Sequence, residues 1–498
     1  MFTDEQRYSV WNGIRQRDLR AFAAYLPVEL IVEAAAQVGL VMGRGPLHVG
    51  NLVYLAVLSA WHTERNFAEV LAGAAQALAD LADATADPSA RPRRPRRPRR
   101  KPGRSKHDPR GIEPMKVSEE AFTQARRRVP TAFWVALLSL LLGRFEAQHG
   151  QRLCWKGFRL LALDGTEIPL ENRKSLAAHF GTARNGQGRS LPQARLVMLQ
   201  FPLVRLPYRY ELSPLAVGEK TLAGRLIEHL RPGDLVLMDR GFWSYGLFCQ
   251  IQAREAFFAL RGFATAKLTT LRRLGRQDRL VSYAPTDRKW RRQGLPASMT
   301  LRAIDYQVQG FRPTTIVTNV LDAELAPRSD WVRLAGRSEP GRHLAAGLYH
   351  RRWEIETTFA EVKVGQNLRT ALRSRTPEGI AYEIAGHVLG YLLVRWTMVD
   401  AAAASGQDPL RLSFTAALHE VQDMRDAFLV ASAENADRIL RPRLLARIAE
   451  HRVPERPGRH YPRPHDGKVK NKGKGKRQLP SKLPSKTPAR PKARRHAA

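Results

Sequence analysis

Cysteine is nearly absent from this chain, since only Cys154 and Cys249 occur among its 498 residues. Neither has a second cysteine or a pair of histidines at metal-ligand spacing, which argues against a structural zinc site. Two cysteines in so long a chain fit a reducing compartment. The first residues, MFTDEQRYSV, lack the basic-then-apolar order of a signal peptide. We therefore expect a cytoplasmic protein.

Long apolar runs and acidic residues are also scarce. The longest apolar run, Phe133 to Gly143 with one serine, is too short to span a bilayer. Only 46 acidic residues oppose 82 basic ones, and the net charge is +36. So large a positive charge favours a polyanionic partner. Nucleic acid is the first candidate, and the membrane surface is the weaker second one.

Two segments rich in proline and basic residues carry two thirds of the excess charge. Residues 91–112, within a linker at 88–113, contribute +10, and residues 456–498 contribute +14. Such compositions do not fold alone, and we expect the tail at 456–498 to be disordered. Two interpretations stay open from composition: solvated segments that aid solubility or localisation, or non-specific DNA affinity through counterion release.

Two aspartates follow apolar, strand-like runs. Asp164 ends the run LLAL, and Asp239 ends the run LVLM. We expect each to stand at the end of a buried strand, in neighbouring strands of one mixed sheet covered by helices. Aspartate also ends strands as a turn former, so either residue alone has a structural explanation. The pair together favours a functional site.

The segment from Tyr349 to Lys363 has the period of a helix, at about 100° per residue. On one continuous helix, Tyr349, Arg352, Glu356 and Lys363 share a stripe about 60° wide. An ordinary surface helix with ion pairs remains the alternative. It does not require basic, acidic and aromatic residues together beside an apolar stripe.

The other side chains of that helix separate Glu356 from its neighbouring glutamates. The apolar residues Ile355, Phe359 and Val362 form an adjacent stripe that can pack on the sheet. Glu354 and Glu361 fall on the opposite side. We therefore expect Glu356 to be the functional carboxylate and the other two glutamates to matter little.

Three carboxylates on separate elements fit one kind of chemistry. Cleavage of a phosphodiester needs an activated water or hydroxyl and a stabilised leaving oxygen, and two Mg²⁺ ions supply both. Mg²⁺ takes hard oxygen ligands and few carboxylates. Basic side chains on the same stripe would hold the DNA backbone at the scissile phosphate.

At these residues the chain resembles a known family. The runs LALDGTEIPLENRKSLAAHFG, PQARLVML and VLMDRGFWS are followed by Y-x2-R-x3-E-x6-K at Tyr349, Arg352, Glu356 and Lys363. Together they look like the DDE transposases of the insertion-sequence-four family. The likeness extends over roughly residues 15–400, including LPVELIVEAAAQVG and AFTQARRRVP near the N-terminus.

The resemblance implies specific roles for residues. Mg²⁺ or Mn²⁺, as two ions, would be bound by the catalytic residues Asp164, Asp239 and Glu356. Transposon-end DNA would be bound by Tyr349, Arg352 and Lys363. An aromatic residue of the insertion traps a flipped base in related enzymes, and the candidates here are Trp331 and Trp353. The alternative for Trp331 is a core tryptophan.

The resemblance also implies a ribonuclease-H-like α/β core with a β-rich insertion before the last catalytic helix, whereas the basic linker and the long basic tail depart from the family pattern. The predicted parts are a helical N-terminal region for DNA binding (1–87), the basic linker (88–113), its helical continuation (114–150), the first part of the core (151–263), the insertion (264–340), the helical second part of the core (341–425), a helical segment (426–455) and the basic tail (456–498).

The leading hypothesis is thus a bacterial, nucleoid-associated, cut-and-paste DNA transposase. We expect it to act on terminal inverted repeats and target DNA, as a homodimer in the synaptic complex, and to have no membrane partner. Two alternatives remain open: a related DDE nuclease without strand transfer, and a catalytically silent DNA-binding protein. The complete carboxylate set argues against the second alternative but does not exclude the first.

Overall fold

The fold is described from a computed structural model. It covers residues 22–63 and 118–454, except for 23, 44–46, 185–189, 264, 308–312, 333–346, 369–371, 425–426, 429–430 and 432. The basic linker at 88–113 and the basic tail at 456–498 lie outside these described residues, and the roles assigned to them stay predictions. The domain boundaries stay predictions as well.

The centre of the protein is a mixed sheet. Its first strands are β1 (Cys154–Trp155), β2 (Phe158–Pro169), β3 (Thr182–Arg184), β4 (Ser190–Phe201), β5 (Leu206–Pro214), β6 (Asp234–Met238) and β7 (Phe257–Arg261). Five of them lie in the order β5-β4-β2-β6-β7. Strands β5, β4 and β2 pair antiparallel, whereas β2, β6 and β7 pair parallel. This order confirms the predicted ribonuclease-H-like core.

Apolar strands hold the sheet in the interior. Every residue of β6 (DLVLM) is buried, as is the LLAL run of β2. Helices cover both of these strands, which explains the continuous apolar runs. The helices of this part are α5 (Lys174–Phe180), α6 (Glu219–Ile227) and α7 (Tyr245–Ala253).

Four further strands extend the same sheet beyond β7. They are β8 (Leu268–Gly275), β9 (Asp278–Tyr283), β10 (Met299–Tyr306) and β11 (Thr314–Thr318), joined antiparallel in the order β7-β11-β10-β9-β8. Short helices α8 (Lys289–Arg292) and α9 (Arg328–Trp331) accompany them. The strand-rich region predicted after residue 264 therefore continues the catalytic sheet, and β8 forms its exposed edge.

The remaining described segments are helical. They are α1 (Val28–Gln37), α2 (Val49–Trp61), α3 (Glu119–Arg127), α4 (Thr131–His149), α10 (Trp353–Ala360), α11 (Pro377–Ser405), α12 (Phe414–Asp423), α13 (Ala433–Asn435) and α14 (Arg441–Glu450). Helix α11 is buried along most of its length. At Gly386 it approaches α2 so closely that a Cβ would collide with the backbone of Ala56. The N-terminal helices and the sheet thus share one core.

The apolar helices lie within that core. Within the described ranges, no single helix is long and apolar enough to cross a membrane. The bent pair formed by Glu119–Arg127 and Thr131–Leu153 passes the same test by length and composition alone.

Candidate active site

Strand register places the two aspartates side by side. Leu163 of β2 is the partner of Met238 of β6, so Asp164 and Asp239 are the next residues on two parallel neighbouring strands. Asp239 directly follows its strand, as predicted. The strand-forming run Phe158–Pro169 is confirmed as β2, but the expectation that Asp164 stands at the end of its strand is wrong, because the strand continues to Pro169 through its antiparallel pairing with β4. Asp164 therefore projects from the middle of a strand.

Burial and neighbouring charge act on Asp164. Burial raises its pKa to about 6, and the negative charges of Glu356 and Asp239 act in the same direction. The backbone N–H of Gly165, 2.8 Å from Oδ1, and the guanidinium of Arg352 oppose that rise. The negative charges of Glu356 and Asp239 therefore both reach Asp164.

Asp239 has a cationic neighbour on the other side. In the register of β6 and β7, Met238 is the partner of Leu260, so Arg261 stands level with Asp239. Its Nη2 lies 3.0 Å from Oδ1 of Asp239. Burial alone would raise the pKa of Asp239, but hydrogen bonds from the backbone of Arg240 and from Arg261 hold it below its usual value.

The segment that carries the third carboxylate is not one continuous α-helix. Leu348–Arg352 forms a 3₁₀ turn, Trp353–Ala360 forms α10, and Glu361–Gly365 forms a π turn. The single-helix prediction was therefore wrong in its geometry. The predicted apolar stripe is confirmed, since Ile355, Phe359 and Val362 are all buried.

Arg352 links the carboxylates of two elements. Its Nη1 lies 3.4 Å from Oδ2 of Asp164, and its Nη2 lies 3.0 Å from Oε1 of Glu356. The side chain of Arg352 is 3% exposed, whereas that of Glu356 is 44% exposed. The arginine therefore lies beneath the site and between two of its carboxylates.

Tyr349 is tied to the backbone beside Asp239. Its hydroxyl donates to the carbonyl oxygen of Met238 at 3.0 Å and accepts from the N–H of Arg261 at 3.2 Å. Burial raises the pKa of Tyr349 to about 12. The ring thus joins the 3₁₀ turn to the ends of β6 and β7, next to the second carboxylate.

Lys363 reaches the strand that carries Asp164. Its Nζ donates to Oγ1 of Thr166 and, at 3.0 Å, to the carbonyl oxygen of Glu167. Thr166 is two residues beyond Asp164, so its side chain lies on the same face of β2. The π turn directs the ammonium group to this strand.

The opposite side of the Glu356 helix is an ion-pair network. Arg205, in the turn between β4 and β5, bonds Glu354 at 2.7 Å and Glu361 at 3.0 Å. Glu361 also accepts from Tyr391 at 2.7 Å and pairs with the fully buried Arg395. Both glutamates lie opposite Glu356, as predicted, and the expectation that they matter little for activity stays a prediction.

The two tryptophans differ in exposure. Trp331 is 1% exposed, and its Nε1 donates to the carbonyl oxygen of Ala326 at 3.1 Å, so here it is a core side chain with no face open to a base. Trp353 is 42% exposed, and the guanidinium of Arg352 lies 5.0 Å from its ring centroid. Only the second is placed to contact a ligand at the site.

Comparison with known proteins finds relatives of this part of the chain. The family described as "Transposase DDE domain" matches residues 155–393, which include all three carboxylates. The chain is 28% identical to "Transposase InsG for insertion sequence element IS4" of Escherichia coli (strain K12), over 62% of this chain and 68% of that protein.

The chain carries a DDE transposase domain and resembles the transposases of the IS4 type.

One solved structure resembles this transposase more distantly. It is the "piggyBac transposase synaptic complex with hairpin DNA", at 10% identity and a TM-score of 0.36, with 89% of this chain and 87% of that chain covered. A similarity of this size carries no argument, and the fold assignment rests on the strand order.

Members of the DDE family use divalent metal ions. The carboxylates of Asp164, Asp239 and Glu356 are chemically suitable ligands for such ions. Carboxylate oxygens are the ligands that hard cations prefer. Among the described residues, however, no three acidic, histidine or cysteine side chains are grouped closely enough to hold one ion as they stand. Arg352 bridges Asp164 and Glu356, so an ion shared by these two would require its guanidinium to move.

Sequence reasoning missed Arg261 of the transposase. It is the last residue of an apolar strand (FFALR), and its register with Asp239 depends on the pairing of β6 with β7. One signal was available in the sequence: a basic residue ends the predicted strand that follows the Asp239 strand.

Proposed function

We propose that this transposase cleaves phosphodiester bonds at the ends of its own element and joins the freed ends to target DNA. The observation that carries the proposal is the convergence of three carboxylates. Asp164 and Asp239 are adjacent on parallel strands, and one buried arginine connects Asp164 with Glu356. Such a set on a rigid sheet suits metal-assisted attack on a phosphate.

Asp164, Asp239 and Glu356 would hold the divalent cations, which we propose to be two Mg²⁺ or Mn²⁺ ions. When bound, these ions supply an activated attacking oxygen and stabilise the leaving oxygen. The strands fix the directions of the two aspartates, and the tie between Tyr349 and Met238 fixes the turn before Glu356. The 44% exposure of the Glu356 side chain leaves it accessible to DNA.

Three basic side chains, Arg261, Arg352 and Lys363, border the carboxylates. We propose that Arg352 and Lys363 bind phosphates of the transposon end, and that Arg352 does so by exchanging a carboxylate oxygen for a phosphate oxygen. Arg352 already contacts Asp164, and Lys363 already contacts the strand that carries Asp164. Tyr349 contributes by holding this segment at β6. Trp353, exposed beside Arg352, is available for stacking on a base.

The proposed partners follow from the reaction. They are the terminal inverted repeats, target DNA and a second copy of this chain in the synaptic complex, in the bacterial cytoplasm near the nucleoid. The net charge of +36 supports association with DNA. We propose no membrane partner.

The test uses full-length protein and DNA that contains the terminal repeats of its own element, with Mg²⁺, Mn²⁺ or EDTA. Resolving the products by size should show cleavage at the element boundary in either metal and none in EDTA. Adding a supercoiled plasmid should give joined products. Boundary cleavage without joined products would contradict strand transfer and leave the nuclease alternative. The absence of cleavage would contradict the proposal as a whole.

A further inference from the structure

A buried glutamine ends the segment that carries Glu356 and Lys363. Gln366 directly follows the π turn Glu361–Gly365 and is 2% exposed. Its backbone N–H donates to the carbonyl oxygen of Glu361 at 3.1 Å, and this bond across five residues makes the turn π rather than α. Single π turns are frequent at functional sites. The contacts of Gln366 therefore bear on whether the turn keeps its wide form.

The side chain of Gln366 binds the backbone of helix α11. With the amide oriented so that both of its groups are paired, its nitrogen donates to the carbonyl oxygen of His387 at 3.0 Å. In the same orientation its oxygen accepts from the N–H of Tyr391 at 3.1 Å. Groups at this spacing are the two partners of one α-helical hydrogen bond. The amide of Gln366 therefore engages both ends of a single bond of α11.

The approach of Gln366 depends on a glycine of α11. A Cβ at Gly390 would lie 3.4 Å from the amide of Gln366 and 2.8 Å from Nε1 of Trp61 in α2. The second distance is shorter than real Cβ contacts, so any larger residue at this position would displace its neighbours. The end of the π turn, α11 and α2 thus meet at one point in the core.

Tyr391 holds the π turn at a second point. Its hydroxyl donates to Oε2 of Glu361 at 2.7 Å, while its N–H bonds Gln366. The first residue of the turn and the residue that follows the turn are thus bound by one residue of α11. Lys363 lies between them, and its Nζ donates to the carbonyl oxygen of Glu167 in β2 at 3.0 Å. The turn held in this way directs the ammonium group to the catalytic strand.

We propose that Gln366 is a positioning residue, which holds the π turn on α11 and thereby directs Lys363 to a phosphate of the transposon end. The inference rests on the proposed function, which assigns that phosphate contact to Lys363. Without the amide, the backbone groups of His387 and Tyr391 can bond each other, so α11 persists while the turn is released. An α turn rotates about 100° per residue, more than the wider π turn, so relaxation turns Lys363 away from β2.

The test compares Gln366→Met with wild type in salt titrations of transposon-end DNA, with full-length protein in EDTA. The substitution changes no charge, so a purely structural role would leave the slope of log affinity against log salt unchanged. We expect the slope to fall in magnitude by about 1, as in Lys363→Ala, because one phosphate contact is lost. The double variant should fall no further than either single variant, because both changes act through one ammonium group.

A second variant and a second measurement do not depend on the first. Gln366→Asn keeps an amide that is one methylene too short to span both backbone groups, and it should lower the slope with less disturbance of the core. Acetylation of Lys363 in the DNA-free protein, read by mass spectrometry, should be faster in both Gln366 variants. The reason is that the ammonium group leaves its partners on β2. Thermal unfolding checks that each variant is folded.

Gln407→Met is the matched control. The side chain of Gln407 also donates to a backbone carbonyl, that of Ala449 at 3.1 Å, but it lies beyond the C-terminal end of α11. This variant should keep the wild-type slope and the wild-type acetylation of Lys363.

Three results would overturn the positioning role. Wild-type slopes in both Gln366 variants, with a lower slope in Lys363→Ala, would overturn it and leave the proposed function intact. A fall of about 2 in the double variant would show that the two residues act separately. An unchanged slope in Lys363→Ala would contradict the phosphate contact itself, and with it both the proposed function of Lys363 and the role of Gln366.

Discussion

The guanidinium of Arg395, which is fully buried in helix α11, forms an ion pair with Glu361 at the start of the π turn. Arg205 adds a second ion pair to the same carboxylate at 3.0 Å. Burial alone would raise the pKa of Glu361, but the charges of Arg395 and Arg205 hold it below its usual value. This contact fixes the segment between Glu356 and Lys363 to the core.

Replacing Glu361 by glutamine should therefore destabilise the fold. The change leaves Arg395 buried without a counter-charge, which costs about 3–5 kcal/mol of unfolding free energy. Glu354→Gln is the matched control and should cost less, because Arg205 keeps Glu361 as its partner. Urea unfolding followed by circular dichroism measures both. Equal stability of Glu361→Gln and wild type would contradict the network.

Replacing Asp164 by asparagine should stabilise the protein at neutral pH in EDTA. The folded pKa of about 6 lies above the usual 3.8, so the charged carboxylate is disfavoured in the fold. The penalty, about 3 kcal/mol from that difference, is fully present above pH 6 and disappears as the pH falls below 4. The midpoint temperature of thermal unfolding should be higher for Asp164→Asn than for wild type at pH 7.5. The two midpoint temperatures should converge in acid. A gain that persists at pH 3.5 would contradict this explanation.

Arg352 should determine the pH below which the cleavage rate falls. Its positive charge lowers the pKa of Asp164, so removing it lets that pKa rise further. Metal binding needs the ionised carboxylate, and the acid limb of the pH–rate profile in Arg352→Gln should move to higher pH. Arg352→Lys, which keeps the charge, should move it less. An unshifted limb in Arg352→Gln would show that the contact does not act on Asp164.

The basic tail should contribute affinity without sequence preference. Deleting 456–498 removes a net charge of +14. Binding to unrelated DNA should weaken, and its dependence on salt should flatten, because fewer counterions are released. Titrations of labelled random-sequence DNA between 50 and 200 mM salt, or roughly that range, measure the slope. A slope equal to that of the full chain would mean that the tail does not contact DNA.

The sequence predicted the central strands of the sheet because their apolar runs are bounded by proline and glycine. The end of β6 at Asp239 was predictable for that reason. The strand-forming residues up to Pro169 also indicated the full extent of β2, whereas the position of Asp164 inside that strand depends on the pairing with β4. Helical periodicity identified the buried stripe of Ile355 and its neighbours but could not predict a π turn.

Tertiary contacts account for the other misses. Arg352 and Glu361 look alike in sequence as charged residues of an amphipathic helix. One is buried between two carboxylates, and the other is paired with an arginine from α11. Trp331 stood in the expected stretch of chain, but packing against Trp155 and a hydrogen bond to Ala326 place it in the core. Sequence spacing does not contain these contacts.

The central claim is that Asp164, Asp239 and Glu356 jointly bind the metal that cleaves DNA. The most direct measurement compares Asp164→Asn, Asp239→Asn and Glu356→Gln with wild type in two assays, Mg²⁺-dependent cleavage of end DNA and binding of the same DNA in EDTA. Each change removes a charged ligand but no proposed phosphate contact. All three variants should lose cleavage and keep binding close to wild type. Cleavage at a near wild-type rate by any one of them would contradict the account.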